Sequence, residues 1–419
     1  MQENLTLKSH EKSKGRENIL KGILAIQHLI AMFGATVLVP FLTGMDPSVA
    51  LFTSGLGTLI FHLCTKGKVP VFLGSSFAFI PVIGVVANKY GDLSYAQGGM
   101  FVAGIIYVLV SLLIKKIGVD KIRAILPAQV VGPMIMVIGL NLLPTAINMA
   151  SKQWLLAAIT LGVTLIIRFL GKGFIKQIAI LIGVAVGYTI SLTMGLVDTA
   201  SINQAALISI PNFTLPKFDI GAILIIAPVV LAVFMEHIGD ITTNGKVVGK
   251  NFVEDPGLNR TLLGDGLATI AASLFGGPAN TTYGENTGVL AVTKNYDPSI
   301  LRLTAIFAIL LSFIAKFGTA IRTVPEAVMG GISLMLFSMI AIIGVTTIKT
   351  EKVKFNWKNI IIILTILIIG IGGSFIESKF GIFLGIKITE NVAITGLSFA
   401  AIIGVILNIL LNGIKLNKK

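Results

Sequence analysis

The sequence predicts an all-α polytopic membrane protein with fourteen transmembrane segments, arranged as a seven-plus-seven inverted repeat. Three observations predict it. First, the 419 residues are 54% hydrophobic and only 12% charged, and the mean hydropathy is +0.91, too apolar for a soluble chain of this length. Second, apolar runs long enough to span a bilayer, about 20 residues each, recur from end to end. Third, short motifs recur in the same order at nearly one offset. Gly34-Ala-Thr36 resembles Gly239-Asp-Ile-Thr242, and Gly74-Ser-Ser-Phe77 resembles Asn280-Thr-Thr-Tyr283. Leu126-Pro-Ala-Gln-Val-Val-Gly132 likewise resembles Val324-Pro-Glu-Ala-Val-Met-Gly330. Seven spans per copy is an odd number, so the second copy enters the membrane from the opposite side, as in many secondary transporters.

Residues 1–21 form a polar, basic tail without the apolar stretch and cleavage site of a signal peptide. The first seven spans are read at about 22–43, 49–65, 70–88, 95–114, 125–147, 153–168 and 175–197. The second seven are read at about 219–243, 258–275, 276–293, 300–318, 325–347, 359–373 and 391–413, followed by a tail at 414–419. Spans 3 and 10 are short and broken. Pro70 and Pro81 bracket span 3, and Gly276, Gly277 and Pro278 precede span 10. Each is expected to open with an extended strand and to start its helix at mid-membrane, near Ser75–Phe77 and Thr282–Gly284. Such paired interruptions point to a transporter's substrate site, and the free N–H groups of a helix start can hydrogen-bond a polar solute. With the basic tail placed inside the cell, 26 of the 33 Lys and Arg fall on the cytoplasmic side. That asymmetry satisfies the positive-inside rule with both termini cytoplasmic, and it accounts for the net charge of +14 without nucleic acid.

Of the 19 acidic residues, three fall at membrane depth: Glu236, Asp240 and Glu285. Intramembrane acids are costly and usually functional. Glu236 and Asp240 are four apart and share a helix face. Each carboxylate can accept N–H groups from a ligand or carry a proton. Asp265 reads as structural, close enough to the cytoplasmic end to reach the interface. His62 reads as an interfacial anchor beside Lys66, His237 as a packing residue facing away from Glu236, and His10 as part of the tail. His28, beside Gln27, lies deeper and is read either as orienting the site or as bonding a neighbouring helix.

At these residues the chain resembles the nucleobase:cation symporter-2 family, and within it the uracil permease branch. The resemblance runs from Gln27 to about Leu410 and is strongest at Leu73-Gly-Ser-Ser-Phe-Ala-Phe79, Glu236-His-Ile-Gly-Asp240 and Asn280-Thr-Thr-Tyr-Gly-Glu-Asn286. Purine members typically carry Gln-Asn where this chain has Glu285-Asn286, so the acid favours pyrimidines. The resemblance implies a core domain (22–118 and 219–318) and a gate domain (119–197 and 324–413). It implies proton-coupled uptake of uracil across a bacterial cytoplasmic membrane by alternating access, commonly as a homodimer. Glu236 and Glu285 would bind the base through its N–H groups, and the amides of Phe77 and Gly284 would bind its carbonyls, with the Phe77 and Tyr283 rings nearby. Glu236, Asp240 and Glu285 would serve proton coupling, and His28, Ala35, Ser76 and Asn286 would support the site. A xanthine or broad-specificity nucleobase symporter is the alternative within the family.

No cofactor or metal is expected, with the proton as coupling ion and sodium not excluded. Cys64 is the only cysteine, so neither an intrachain disulfide nor a cysteine-based metal site can form. The chain carries no His-Glu-x-x-His and no Cys–His pairing, so a membrane-embedded enzyme is not expected. A channel would need a continuous polar pore, whereas an inverted repeat with one central site indicates a carrier.

Overall fold

The computed structural model describes residues 2–118, 126–389 and 392–413. The expected gate boundary at 119, the cytoplasmic residues Lys121 and Arg123, and the tail at 414–419 lie outside them. The first half contains α1 (Gln2–Thr43), α2 (Pro47–Cys64), β1 (Leu73–Ser75), a 3-10 turn at Phe77–Phe79, α3 (Ile80–Tyr90) and α4 (Leu93–Ile117). It continues with α5 (Ala128–Ser151), α6 (Trp154–Leu170), α7 (Gly173–Gln177), α8 (Ala179–Thr193) and α9 (Thr199–Gln204). The second half opens with α10 (Ile220–Ile226), a 3-10 turn at Ala227–Val229 around Pro228, and α11 (Val230–Val248). Then come α12 (Leu258–Leu274), β2 (Asn280–Thr282), α13 (Gly284–Thr293), α14 (Pro298–Ser312) and α15 (Ala315–Arg322). The chain closes with α16 (Glu326–Thr350), α17 (Trp357–Phe380), β3 (Gly385–Thr389), β4 (Val392–Thr395) and α18 (Gly396–Asn412).

Among the described residues, six helices are long and apolar enough to cross a membrane, or seven if α14 and α15 count as one bent span. Asp-capped helix starts recur at the ends of these segments. Asp46 caps α2 by accepting the Ser48 N–H at 2.8 Å, and Asp297 caps α14 by accepting that of Ser299 at 2.9 Å. Each satisfies a backbone donor that the first helical turn leaves unpaired. Helices approach closely where glycines face each other: Gly104 of α4 against Gly266 of α12, and Gly132 of α5 against Gly344 of α16. Small residues of this kind let helices pack in lipid, where the hydrophobic effect does not drive their association.

Four features differ from the sequence reading. The tail at 1–21 is not separate from span 1, because α1 runs unbroken from Gln2. The Glu17–Lys21 ion pair at 3.2 Å has the spacing that supports such a polar helix. The span expected at 300–318 breaks after Ser312, and α14 and α15 meet at 82°. The second piece carries Lys316 and Arg322 and turns along the start of α2, where Arg322 lies 2.9 Å from Asp46. The helix expected at 359–373 continues to Phe380. The segment after it forms an antiparallel hairpin, β3 with β4, pairing Ile386 with Ile394, so strands are not confined to spans 3 and 10. Its alternating β-branched residues favour strand, but they adjoin the apolar run of the last span, which hid them.

The linker between the halves ties together the start of α4 and the ends of α12 and α14. The Lys217 N–H donates to Ser94 O at 2.9 Å, the Thr214 N–H to Phe275 O at 3.3 Å and the Ser209 N–H to Phe313 O at 3.0 Å. Phe213 packs edge-on against Phe52 and Phe275. Lys217 also lies 2.9 Å from Asp92. The ammonium, with the Ser94 N–H, holds the Asp92 carboxyl down at about 2.

Candidate functional site

The two extended leads predicted in spans 3 and 10 pair with each other. β1 and β2 run antiparallel, with Leu73 opposite Thr282, Gly74 opposite Thr281 and Ser75 opposite Asn280. Two further bonds lengthen the ladder: the Ser76 N–H donates to Ala279 O at 2.8 Å, and the Tyr283 N–H to Phe72 O at 3.1 Å. Because the strands are antiparallel, the helices that follow leave at opposite ends and present their N-termini to the strand pair. Neither start, at Ser76 or at Tyr283, has a side-chain cap. The strands are buried throughout, so their outer edges need partners. Neighbouring helices supply them. The Leu73 N–H donates to Thr58 Oγ1 of α2 at 2.9 Å, Thr269 Oγ1 of α12 donates to Asn280 O at 3.2 Å, and Asn280 Nδ2 donates to Thr53 O at 3.0 Å.

Around this centre stand the residues expected from the sequence. Glu285 is the second residue of α13 and lies in its first turn. Gly284 before it is exposed, with open space where a side chain would be. Glu236 and Asp240 lie on α11, both half-buried, and Gly239 between them also faces open space. Asp240 Oδ2 accepts the Thr282 hydroxyl at 2.8 Å, which ties α11 to β2. Among the described residues, no Lys, Arg or His nitrogen lies within 4.0 Å of Glu236, Asp240 or Glu285. Phe77 is half-buried and packs between two apolar clusters, one of which contains Tyr283, Ala35 and Met32.

Tyr283 is buried and committed to the scaffold. Its hydroxyl donates to Ser75 O at 2.9 Å, and its ring lies over Gly74, where a methyl group would come within 2.2 Å of it. Ser76 is buried, and its hydroxyl has no partner among the described residues. Ala35 is fully buried in α1, next to Thr36, whose carbonyl accepts the Ser75 hydroxyl at 3.1 Å. His28 is buried and bonds the residue after Glu285: Asn286 Nδ2 donates to His28 O and to its Nδ1, both at 3.1 Å. His28 therefore bonds a neighbouring helix at a point that fixes the first turn of α13.

Two sequence expectations are corrected. His62 is no interfacial anchor: it is buried, and its Nε2 faces Val71 O at 2.9 Å within the lead to β1. Asp265 does not reach an interface. It is fully buried, with Oδ2 lying 2.8 Å from His237 Nδ1, while His237 Nε2 faces Thr261 Oγ1 at 2.9 Å. Both residues sit near Lys or Arg in sequence, which suggested helix ends, but the α2–α12 packing encloses them. Sequence reasoning also missed Thr282 and the bridge made by Asn244, whose Nδ2 donates to Pro70 O at 3.0 Å and to Thr287 Oγ1 at 3.1 Å. The one available signal was a run of polar residues on the Glu236 face of span 8. A separate cavity of about 610 Å³, beside Lys68, Lys250, Asp255 and Tyr296, holds none of the predicted site residues.

Chemically, the centre joins two uncapped helix starts, which donate hydrogen bonds, to carboxylates without a cation, which accept them. Such a set suits a small solute that presents both N–H and C=O groups.

Comparison with known proteins follows the same line. The family model Xan_ur_permease, described as Permease family, matches residues 21–379. The uracil permease of Bacillus caldolyticus is 42% identical over 406 residues, covering 93% of this chain and 91% of that protein. The uracil permease of Bacillus subtilis (strain 168) is 43% identical over 92% of this chain and 91% of its own length. That of Escherichia coli (strain K12) is 39% identical over 92% and 90%. Among solved structures, the transmembrane domain of the cyanobacterial bicarbonate transporter BicA superposes with a TM-score of 0.61 at 14% identity, covering 94% of this chain and 97% of that one. SLC26A9 superposes with a TM-score of 0.66 at 12% identity, and the match covers 94% of this chain and 65% of that one. At such identities the likeness is one of fold: a mostly helical membrane-transporter fold.

Proposed function

This chain belongs to the nucleobase:cation symporter-2 family of permeases, and on that premise we propose that it carries uracil across the bacterial cytoplasmic membrane together with a proton. As a permease it is a transporter and not an enzyme. The carrying observation is the position of Glu236 and Glu285. Glu285 lies in the first turn of α13, at one of the paired, uncapped helix starts, and Glu236 lies on α11, one turn before the Asp240 that bonds β2; among the described residues no Lys, Arg or His nitrogen comes within 4.0 Å of either carboxylate. Uracil is flat, neutral and small, with alternating N–H and C=O groups. The two glutamates accept its N–H groups, and the amides of Phe77 and Gly284 donate to its carbonyls. A base with a donor where the site needs an acceptor leaves a buried group unpaired, which is strongly selective. Phe77 contributes a ring face. Tyr283, held by Ser75, shapes the site through the strand pair.

Proton coupling follows from the cost of isolated charge at depth. Protonation of Glu236 or Asp240 from the outer side removes an uncompensated charge as the neutral base binds. The core then moves against the gate and releases both inside. Sodium in place of the proton would need the same neutralisation. Fourteen crossings in two inverted repeats fit this cycle, and helix packing supports them. Exchanging each span for its repeat partner turns one set of helix contacts into another. Contact of α2 with α14 corresponds to that of α12 with α4, α1 with α14 to α10 with α4, and α6 with α16 to α17 with α5. The main packing of α1–α4 with α10–α14 forms the core (22–118 and 219–318). That of α5–α8 with α16–α18 forms the gate (119–197 and 324–413), and two copies pair as a homodimer with all termini cytoplasmic.

The test is radiolabelled uracil uptake into proteoliposomes, with and without an inward proton gradient, challenged by excess unlabelled xanthine. Accumulation driven by the gradient and unaffected by xanthine is expected. Block by xanthine would move the site to nucleobases in general, and no uptake of uracil would refute the reading.

A further inference from the structure

The site residues named so far all come from the core, whereas a carrier must also close its site with groups from the gate. The segment 177–180, at the junction of α7 and α8, lies against the core at two points where the core offers only glycine. A methyl group at Gly288 of α13 would lie 2.4 Å from Gln177 Oε1, and one at Gly34 of α1 would lie 2.6 Å from Ile180 Cγ2. Gly288 is one helical turn beyond Gly284, on the same face of α13. Gly34 immediately precedes Ala35. Both contacts therefore sit beside the polar centre, one on each of two core helices.

The repeat-related position behaves differently. Gly239 corresponds to Gly34 in the second copy of the motif, yet among the described residues nothing lies within 4 Å of where its side chain would be. Among the described residues, gate contact at the glycine of the motif is thus made in one repeat only. The contact lies next to Arg168, Lys172 and Lys176, the basic cluster that the positive-inside rule puts on the cytoplasmic side.

We propose that Gln177 and Ile180 form the cytoplasmic gate contact of the site, closing on the bare backbone of Gly288 and Gly34 and parting from it each time substrate is released. The proposal rests on the carrier reading. Glycine at both positions gives the gate a surface from which it can separate without unlocking interleaved side chains.

Cys64 is the only cysteine, so cross-linking can be made specific. In a Cys64→Ser background, Gln177→Cys and Gly288→Cys are combined and treated with a short, reducible bifunctional thiol reagent. Cross-linking is expected to cut uracil uptake in proteoliposomes at least roughly tenfold, because one conformer is trapped. Reduction should restore uptake, and the reagent should leave each single-cysteine variant at its own untreated level of uptake. Undiminished uptake by the cross-linked chain, or failure of the pair to cross-link, would overturn the gate. A wild-type chain without uptake would instead sink the carrier reading, and the gate with it. If the double variant is inactive before cross-linking, Gly34→Leu carries the test: the larger side chain should wedge Ile180 away and cut uptake comparably, and normal uptake would overturn the proposal.

Discussion

Glu236 carries the sharpest residue-scale expectation. Gln is nearly isosteric and keeps a carbonyl oxygen to accept a hydrogen bond, but it can neither hold a negative charge nor take up a proton. Glu236→Gln should therefore reduce gradient-driven uracil accumulation at least roughly tenfold if the carboxylate couples and binds as proposed. Proteoliposome uptake at a fixed gradient measures this, and near-normal accumulation would remove Glu236 from the coupling step. At this scale the sequence is most legible where cost is highest. Glu236, Asp240 and Glu285 stand out because carboxylates inside long apolar runs need a reason. Thr282 does not stand out, because threonines are common in such runs. Its bond to Asp240 exists only because β2 and α11 meet in one register, which no local pattern encodes. Asp265 and His62 mislead for the same reason. Distance along a helix marks them as near its end, but their burial is set by a second helix packed over them.

Elements are legible where composition punctuates them and obscure where two patterns merge. Prolines and glycines around spans 3 and 10 announce broken segments, and the two extended leads form as expected. That the leads pair with each other follows only from the fold. The pairing makes Gly74 a critical position, since the Tyr283 ring covers its backbone and the Tyr283 hydroxyl bonds the next residue. Gly74→Ala would push a methyl group into that ring. Aromatic atoms 2.2 Å away cannot yield without moving β2, and with it the start of α13 and Glu285. Overpacking of this kind costs about 1–3 kcal/mol. The expected result is a lower melting temperature in detergent and a loss of uptake larger than the stability loss alone would produce. Unchanged melting and uptake would show that the ring has room the packing denies. The hairpin at β3 and β4 is the opposite case, because its alternating isoleucines read as one run with the apolar span that follows them.

At the scale of the whole molecule, the proposed span count is odd in each repeat, and that sets the orientation of every loop. With seven crossings in each copy, equivalent loops must face opposite sides of the membrane. Lys172, between α6 and α7, and Lys379, at the end of α17, are both exposed and fall in corresponding loops of the two copies. In the proposed orientation the first lies inside, with Arg168 and Lys176, and the second is among the few basic residues outside. In a Cys64→Ser background, Lys172→Cys should resist a membrane-impermeant thiol reagent applied to intact cells and react once the cells are opened. Lys379→Cys should react in intact cells. Among the described residues, six or seven helices meet the strict requirements of length and apolarity, so the fourteen crossings proposed above require the shorter helices and the two half-helices to cross as well, packed within protein. Labelling of both positions from the same side would mean that one of these shorter segments does not cross. The second copy would then enter the membrane in the same direction as the first. The paired helix starts would lose their two-fold relation across the membrane, and alternating access by exchange between two-fold-related halves would lose its structural basis.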